Sequence, residues 1–269
     1  MDRYTLGTFR LSRNKVSGDL LRLVNGPTLY KPVLSRAFGT LYFSRTFEDR
    51  NGQFAWGTYI KGAGASEEAA LSEFCELLRR ALFIDDDLDE SFALGMHTQT
   101  STAGGYEKTE LGRLVYKAKS YGPHHHGDRQ RAAELAGHMV RFIQQHPTYR
   151  RANILVTVPP TSPNKDYDLP EVLAKEITKH AGITTALNAV NKTRETVPMK
   201  GCRTVQEKID NLKDAFVADS KLVKAKTVIL LDDIYQTGFS INEVGRALRA
   251  AGASLLLGLV ATKTGRDLA

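Results

Sequence analysis

Residues 227–240 read TVILLDDIYQTGFS, and the predicted fold depends on this stretch. The apolar run at residues 228–231 predicts a strand that is buried on both faces of a parallel sheet. Asp232 and Asp233 follow where we expect the strand to end, and a turn centred on Gly238 comes next. Ser240 and Glu243 have the spacing of a capping box, which predicts that a helix begins at Ser240.

The turn after the two acids has the composition of a phosphate site. A strand, a tight glycine turn and a helix N-terminus bring several backbone N–H groups together, and the helix dipole adds partial positive charge. Two adjacent carboxylates would repel a phosphate, but they suit vicinal hydroxyls or a divalent cation beside it. A ligand with a phosphate, a diol and a metal is a sugar phosphate, and a phosphorylated ribose is the simplest example.

This stretch resembles the signature of the type I phosphoribosyltransferases, in which four apolar residues and two acids precede a Thr-Gly-x-Ser/Thr loop. The match is in register, although Gln236 stands where a Thr is common. The resemblance implies that Asp232 and Asp233 are the catalytic residues, which hold the ribose hydroxyls of phosphoribosyl pyrophosphate (PRPP) together with Mg²⁺. A Walker B strand also carries acids, but the chain has no G-x-x-x-x-G-K-[ST] loop. The residues implied to bind the 5-phosphate are Gln236, Thr237, Gly238, Phe239 and Ser240.

Composition is that of an ordinary soluble protein, with 269 residues and 42% hydrophobic residues. We expect a cytoplasmic protein without membrane partners, because no apolar run approaches ~20 residues and the first residues do not resemble a signal peptide. The net charge of +7 is concentrated in residues 106–269, which hold 25 basic against 17 acidic residues. Such a surface suits an anionic ligand such as PRPP or ribose 5-phosphate, and it leaves nucleic acid open as a partner.

The chain is predicted to contain two domains. Residues 1–105 are predicted to form an α+β domain of unknown role, with strands at 29–33, 39–47 and 54–60 and a helix that Ser66 caps at 66–82. The boundary is placed in the breaker-rich residues 95–105. The acidic residues 85–90 lack the spacing of a Ca²⁺ loop, so a solvated loop is favoured. An exposed loop is likewise favoured over a metal site for the three histidines at 124–126.

Residues 106–269 are predicted to be an α/β domain with a parallel sheet, the fold of a type I phosphoribosyltransferase. Strands and helices alternate from residue 153 onward, which implies right-handed crossovers. A strand at 153–158 leads to a loop that we expect beside the acid pair if the two strands are neighbours. Capping patterns predict helices after Asp168 and Thr204. The residues assigned to the loop that holds pyrophosphate are Pro160, Thr161, Ser162 and Lys165.

The polar and basic residues 191–203 are predicted to cover the site during reaction. The segment has few apolar residues that could pack it against the domain, and its lysine and arginine side chains can neutralise the negative charge of the ligand. It also follows a predicted strand end, which places it near the acids in a parallel sheet. The residues assigned to this flexible loop are Lys192, Arg194, Lys200 and Arg203.

Within the superfamily, roughly the last 160 residues are most similar to the ComF-like competence phosphoribosyltransferases. The similar features are a lysine-rich helix, a strand that ends in Val158-Pro159, and Asn211 shortly before an Ala-Phe pair. The chain departs from that group in lacking a four-cysteine zinc ribbon. It also has residues 167–170, Tyr-Asp-Leu-Pro, in place of an Arg-Gly-Phe-Asn block.

The resemblance implies an enzyme of the glycosyltransferase class in nucleotide metabolism. Such an enzyme moves the phosphoribosyl group of PRPP to a nitrogen acceptor, a base or an amine that the sequence does not identify, and releases pyrophosphate. Two alternatives stay open at this point. One is a PRPP-responsive regulator or DNA-uptake factor that has lost turnover, and the other is a nucleic-acid binder without a small ligand. A homodimer also stays open.

Overall fold

The computed structural model describes residues 5–102, 104–120, 126–160, 167–197 and 201–265. The chain divides into two compact units, residues 1–83 with 144–150 and residues 84–143 with 151–269. The sequence placed the domain boundary in residues 95–105. In the structure the chain first passes from one unit to the other between residues 83 and 84. Within the described residues, none of the helices has the length and apolar character needed to cross a membrane.

The first unit contains a four-stranded antiparallel sheet in the order β1-β2-β4-β3, together with two helices. This agrees with the α+β class predicted for the N-terminal part. Its elements are β1 (Phe9–Arg13), β2 (Leu20–Val24), α1 (Tyr30–Ala37), β3 (Tyr42–Phe43), β4 (Trp56–Lys61) and α2 (Ala65–Arg80).

Two local predictions in this unit are corrected by the structure. The strand predicted at residues 29–33 is the start of helix α1, whose buried residues have helical spacing: Tyr30, Val33, Leu34 and Ala37. The predicted helix at 66–82 is present as α2, but Ser66 is not its cap. The helix begins after Gly64, and the Glu67 carboxylate accepts a hydrogen bond from the Gly64 N–H at 3.0 Å.

The second unit contains a six-stranded sheet in the order β10-β9-β13-β14-β6-β5. Its strands and helices up to α5 are β5 (Leu82–Ile84, where the chain enters this unit), β6 (Glu90–Met96), β7 (Thr98–Thr100), β8 (Tyr106–Lys108), α3 (Glu110–Ala118), α4 (Arg129–Gln145), β9 (Ile154–Thr157) and α5 (Leu169–Ala181). The later ones are β10 (Thr184–Thr185), β11 (Val190–Lys192), α6 (Val205–Leu212), β12 (Phe216–Ala218), α7 (Ser220–Val223), β13 (Thr227–Tyr235), α8 (Phe239–Ala250) and β14 (Leu255–Lys263).

The predicted α/β class with a parallel sheet is confirmed. Strand β13 pairs in parallel with β9 and β14, and β14 pairs in parallel with β6. The predicted buried run of β13 lies at the centre, and Val228, Ile229, Leu230 and Leu231 are all fully buried. Because the strands are parallel, their carboxyl ends lie along one edge of the sheet.

Strand β6 belongs to this sheet, although the sequence placed residues 90–96 in the N-terminal domain. Its register with β14 runs from Glu90 opposite Leu257 to Met96 opposite Lys263. The breaker-rich segment after β6, which the sequence analysis took as the domain boundary, contributes to a hairpin of β7 and β8. Gly104 and Gly105 have positive φ in the turn of this hairpin. The two predicted caps downstream are present, because Asp168 caps α5 and Thr204 forms a capping box with Glu207 in α6.

Candidate functional site at the carboxyl edge of the sheet

The acid pair lies within strand β13, which continues beyond the predicted end to Tyr235. Asp232 pairs with Val260 of β14, and Tyr235 pairs with Lys263. Consecutive residues of a strand point to opposite faces of its sheet, so the two carboxylates do not project in parallel. Asp233 is only 4% exposed. The Asp233 N–H donates a hydrogen bond of 2.8 Å to Oδ1 of Asp232.

A lysine from helix α3 contacts the buried acid. Nζ of Lys119, the residue that follows α3, forms an ion pair with Oδ2 of Asp233. Burial raises the pKa of Asp232 to about 8, the Asp233 carboxylate adds to this shift, and Lys119 opposes it. The Asp232 carboxyl therefore holds its proton more tightly than an ordinary carboxyl does, and the Lys119 ammonium group limits this effect.

The glycine turn leads directly into helix α8. Gly238 is the N-cap residue with φ +77°, so α8 begins at Phe239, and the predicted start at Ser240 is wrong. The left-handed conformation of Gly238 lets the helix begin earlier than a serine cap would. A glycine has no side chain to cap the first N–H groups, and this leaves them suited to an anion. A Cβ on Gly238 would overlap the hydroxyl of Tyr235, so this side chain lies directly against the turn.

The loop after β9 starts beside the acid pair, as predicted for neighbouring strands. Thr157 is the partner of Leu231 in the parallel pairing, and the Val158 N–H donates to the Leu231 carbonyl at 3.0 Å. Pro160 follows two residues later. The other residues that the sequence assigned to pyrophosphate lie outside the described residues: Thr161, Ser162 and Lys165.

Two further polar side chains on neighbouring strands lie at this edge, and the sequence did not single them out. Nδ1 of His97 lies 3.0 Å from Oγ1 of Thr262, and both residues stand at the ends of adjacent strands. Burial lowers the pKa of His97, Lys108 and Lys119 lower it further, and Asp233 opposes them. The sequence offered one signal for these two residues, which is that each lies at the end of an apolar segment. This signal was insufficient for His97, because the sequence analysis placed β6 in the N-terminal domain.

The segment predicted as a flexible loop begins as a strand. β11 pairs with β12, and Nη2 of Arg194 donates to the carbonyls of Asp210 and Lys213 at 3.0 and 2.9 Å. Side-chain and backbone groups within the segment also bond locally, as at Lys192 (Nζ to Thr196 Oγ1, 2.8 Å) and Arg203 (N to Glu207 Oε2, 2.6 Å). Lys200 lies outside the described residues. Covering of the site by this segment stays a prediction.

The acid pair has donors that fit Mg²⁺. This ion prefers oxygen ligands and is held in many sites by one or two carboxylates together with substrate phosphates. Oδ2 of Asp233 is buried and receives no hydrogen bond from the described residues. Within those residues, no group of three or more His, Cys, Asp or Glu could hold a metal by itself. Two of the three adjacent histidines, His124 and His125, lie outside the described ranges.

No protein-family model matches the chain, and no curated protein matches it. Among solved structures it is similar to the allosteric regulatory enzyme of purine biosynthesis, at 13% identity and a TM-score of 0.37 over 90% of this chain and 44% of that one. It is also similar to the glutamine PRPP amidotransferase from B. subtilis complexed with ADP and GMP, at 13% identity and a TM-score of 0.38 over 90% and 46%.

A third similar structure is the UMP synthase of Leishmania donovani, at 17% identity and a TM-score of 0.28 over 76% of this chain and 32% of that one. The chain thus spans less than half of the length of each of these three proteins. Because all three TM-scores are below 0.5, the similarity does not assign a function to this chain.

Proposed function

We propose that the chain binds PRPP with Mg²⁺ and transfers its phosphoribosyl group to a nitrogen acceptor. One observation carries the proposal. The acid pair of β13, of which Asp233 is buried, leads within five residues into a left-handed glycine at the start of α8. This arrangement supports the proposal, because it would bring oxygen acceptors for a diol near backbone N–H donors for a phosphate, at the edge of a parallel sheet where ligands commonly bind.

Each part of PRPP has a counterpart in this arrangement. The N–H groups of residues 236–240 would hold the 5-phosphate, with the α8 dipole adding to the attraction. Asp232 and Asp233 would accept hydrogen bonds from the ribose hydroxyls and would hold Mg²⁺ with the ligand. When bound, Mg²⁺ supplies positive charge to the oxygens of the pyrophosphate. The loop that starts at Pro160 would face that pyrophosphate.

The proposed reaction breaks the bond between C1′ of the ribose and the pyrophosphate oxygen. Both electrons of that bond leave with pyrophosphate, the nitrogen of the acceptor forms the new bond to C1′, and the acceptor nitrogen loses a proton. The contribution of the protein is to position the two reactants and to stabilise charge. The acceptor is a base or an amine, and its identity is a matter for experiment.

A second candidate function is a PRPP-binding regulator without turnover, and Asp168 favours it. This residue caps α5 directly after the proposed pyrophosphate loop, and its charge contributes to the raised pKa of Asp232. An additional carboxylate near departing pyrophosphate would oppose its stabilisation.

Calorimetric titration of PRPP with and without Mg²⁺ tests the proposal. We expect binding that requires Mg²⁺ in the wild-type protein and weaker binding in Asp233→Asn, while Asp85→Asn, an exposed acid outside the site, leaves affinity unchanged. The absence of heat at millimolar PRPP with Mg²⁺ would refute it. Pyrophosphate release with a panel of bases and amines then separates the enzyme from the regulator.

A further inference from the structure

Lys119 connects helix α3 with the acid pair of β13. Its side chain is 32% exposed, whereas the Asp233 side chain with which it forms the ion pair is 6% exposed. Oδ2 of Asp233 receives no hydrogen bond from the described residues. Among those residues, its polar partner is the ammonium group of Lys119, with which it forms the ion pair. The buried oxygen is thus neutralised by a cation whose other side reaches solvent.

The backbone that carries Lys119 is held in place. The Tyr167 hydroxyl donates to the Ala118 carbonyl at 2.7 Å, and the Lys119 N–H donates to the Val115 carbonyl at 3.0 Å. On the same helix, a Cβ on Gly112 would overlap the His97 carbonyl, so α3 lies very close to the end of β6. Lys119 can therefore leave Asp233 by a side-chain rotation, without movement of the helix.

The ammonium group and a divalent cation require the same oxygen. A bare divalent cation has to displace Lys119 from Asp233, and the positive charge of the ammonium group then stays close to a dication that repels it. A cation that arrives with PRPP brings phosphate and pyrophosphate oxygens. These negatively charged oxygens attract the displaced ammonium group, so they offset its repulsion from the dication.

We propose that Lys119 makes the acid pair selective for a divalent cation that arrives with PRPP over the same cation alone. This inference rests on the proposed function, because it needs PRPP to be the ligand. It assigns Lys119 the role of a selectivity residue that acts through Asp233.

Mn²⁺ binding, measured by electron paramagnetic resonance with and without PRPP, tests the inference. We expect Lys119→Met to bind Mn²⁺ alone about tenfold more tightly than the wild-type protein, because one positive charge beside the site is removed. Lys119→Arg keeps that charge and should behave like the wild type. Lys117→Met, at an exposed lysine two residues earlier, is the matched control and should also behave like the wild type.

The gain in Lys119→Met should disappear when Asp233→Asn is added, which locates the bound Mn²⁺ at the acid pair. Lys119→Gln provides a second neutral variant if the methionine variant does not fold. If the wild type binds PRPP with Mn²⁺ and the neutral variants bind Mn²⁺ alone no more tightly, the selectivity role is wrong and the proposed function stands. If the wild type does not bind PRPP with Mn²⁺, the proposed function fails and the inference fails with it.

Discussion

The acidic residues 85–89 and the acid pair of β13 carry the same side chain in the same unit, but their carboxylates have different partners. Oδ1 of Asp86 accepts from the Leu88 N–H and the Ser91 hydroxyl at 3.1 and 2.9 Å. Oδ2 of Asp89 accepts from the Leu256 N–H at 2.8 Å and from Arg249 at 3.2 Å. The sequence favoured a solvated loop there, whereas these two acids bond to the backbone.

In β13, by contrast, the buried Oδ2 of Asp233 faces the end of a flexible lysine side chain. Backbone donors belong to the fold and cannot be exchanged for a ligand without local unfolding. An ammonium group on a flexible side chain can be exchanged. The difference predicts that Asp86 and Asp89 stabilise the fold, and that Asp233 is the acid whose partner a ligand could replace.

The largest expected effect comes from removing the phosphate half of the site. Gly238→Val should lower the affinity for ribose 5-phosphate by about a hundredfold or more, since the φ of +77° disfavours a β-branched residue and the new side chain would overlap Tyr235. Calorimetric titration is the measurement. Gly182→Val is the matched control, because Gly182 has φ +69° with open space around it, and its variant should bind normally. Unchanged affinity in a folded Gly238→Val protein would exclude this turn as the anchor.

Measuring both the affinity for PRPP and the free energy of unfolding in variants of the two acidic regions sharpens the comparison. Asp233→Asn should weaken the binding of PRPP with Mg²⁺ by about ten- to a hundredfold, since hydrogen bonds to charged groups contribute ~1.5–3 kcal/mol. Asp89→Asn should leave that affinity unchanged and should lower the free energy of unfolding by about 1–3 kcal/mol, because the Leu256 N–H loses a charged acceptor. Denaturant unfolding and calorimetry check both variants. The reverse pattern would contradict the separation of roles.

A smaller effect should be visible in the pH dependence of stability. Burial raises the pKa of Asp86 to about 6, and bonds from Leu88 and Ser91 oppose the shift. The folded protein therefore keeps a proton that the unfolded chain has lost between about pH 4 and pH 6, so stability should fall by about 2 kcal/mol as pH rises through this window. Asp86→Asn should remove that part of the slope in urea titrations. A slope that is the same in the variant would be inconsistent with this assignment.

The smallest expected effect concerns the support of Lys119. Tyr167→Phe removes the hydrogen bond to the Ala118 carbonyl and should lower the free energy of unfolding by about 0.5–1.5 kcal/mol. Because the end of α3 then holds Lys119 less firmly, Mn²⁺ alone should bind a few-fold more tightly than in the wild type, and less tightly than in Lys119→Met. Tyr116→Phe, an exposed tyrosine on α3, is the control. An effect as large as that of Lys119→Met would mean that the hydroxyl acts on the site directly.

Local patterns in the sequence determined the elements whose stabilisation is local. The buried run of β13, the caps of α5 and α6, and the alternation of strands and helices after residue 153 all follow from neighbouring residues, because a cap or a hydrophobic period involves only a few positions. The acid pair and Gly238 were likewise evident, since the strand, the turn and the helix that form this half of the site are consecutive.

Only the tertiary structure decided the features that depend on distant residues. Residues 30–37 form α1 because their helical face is buried, although the short window favoured a strand. Strand β6 joins the sheet through pairing with β14, more than 150 residues later. Lys119 reaches Asp233, and His97 reaches Thr262, because the fold brings a helix end and several strand ends to one edge. A sequence shows the charge of each such residue, but which charges meet depends on the packing of the complete sheet.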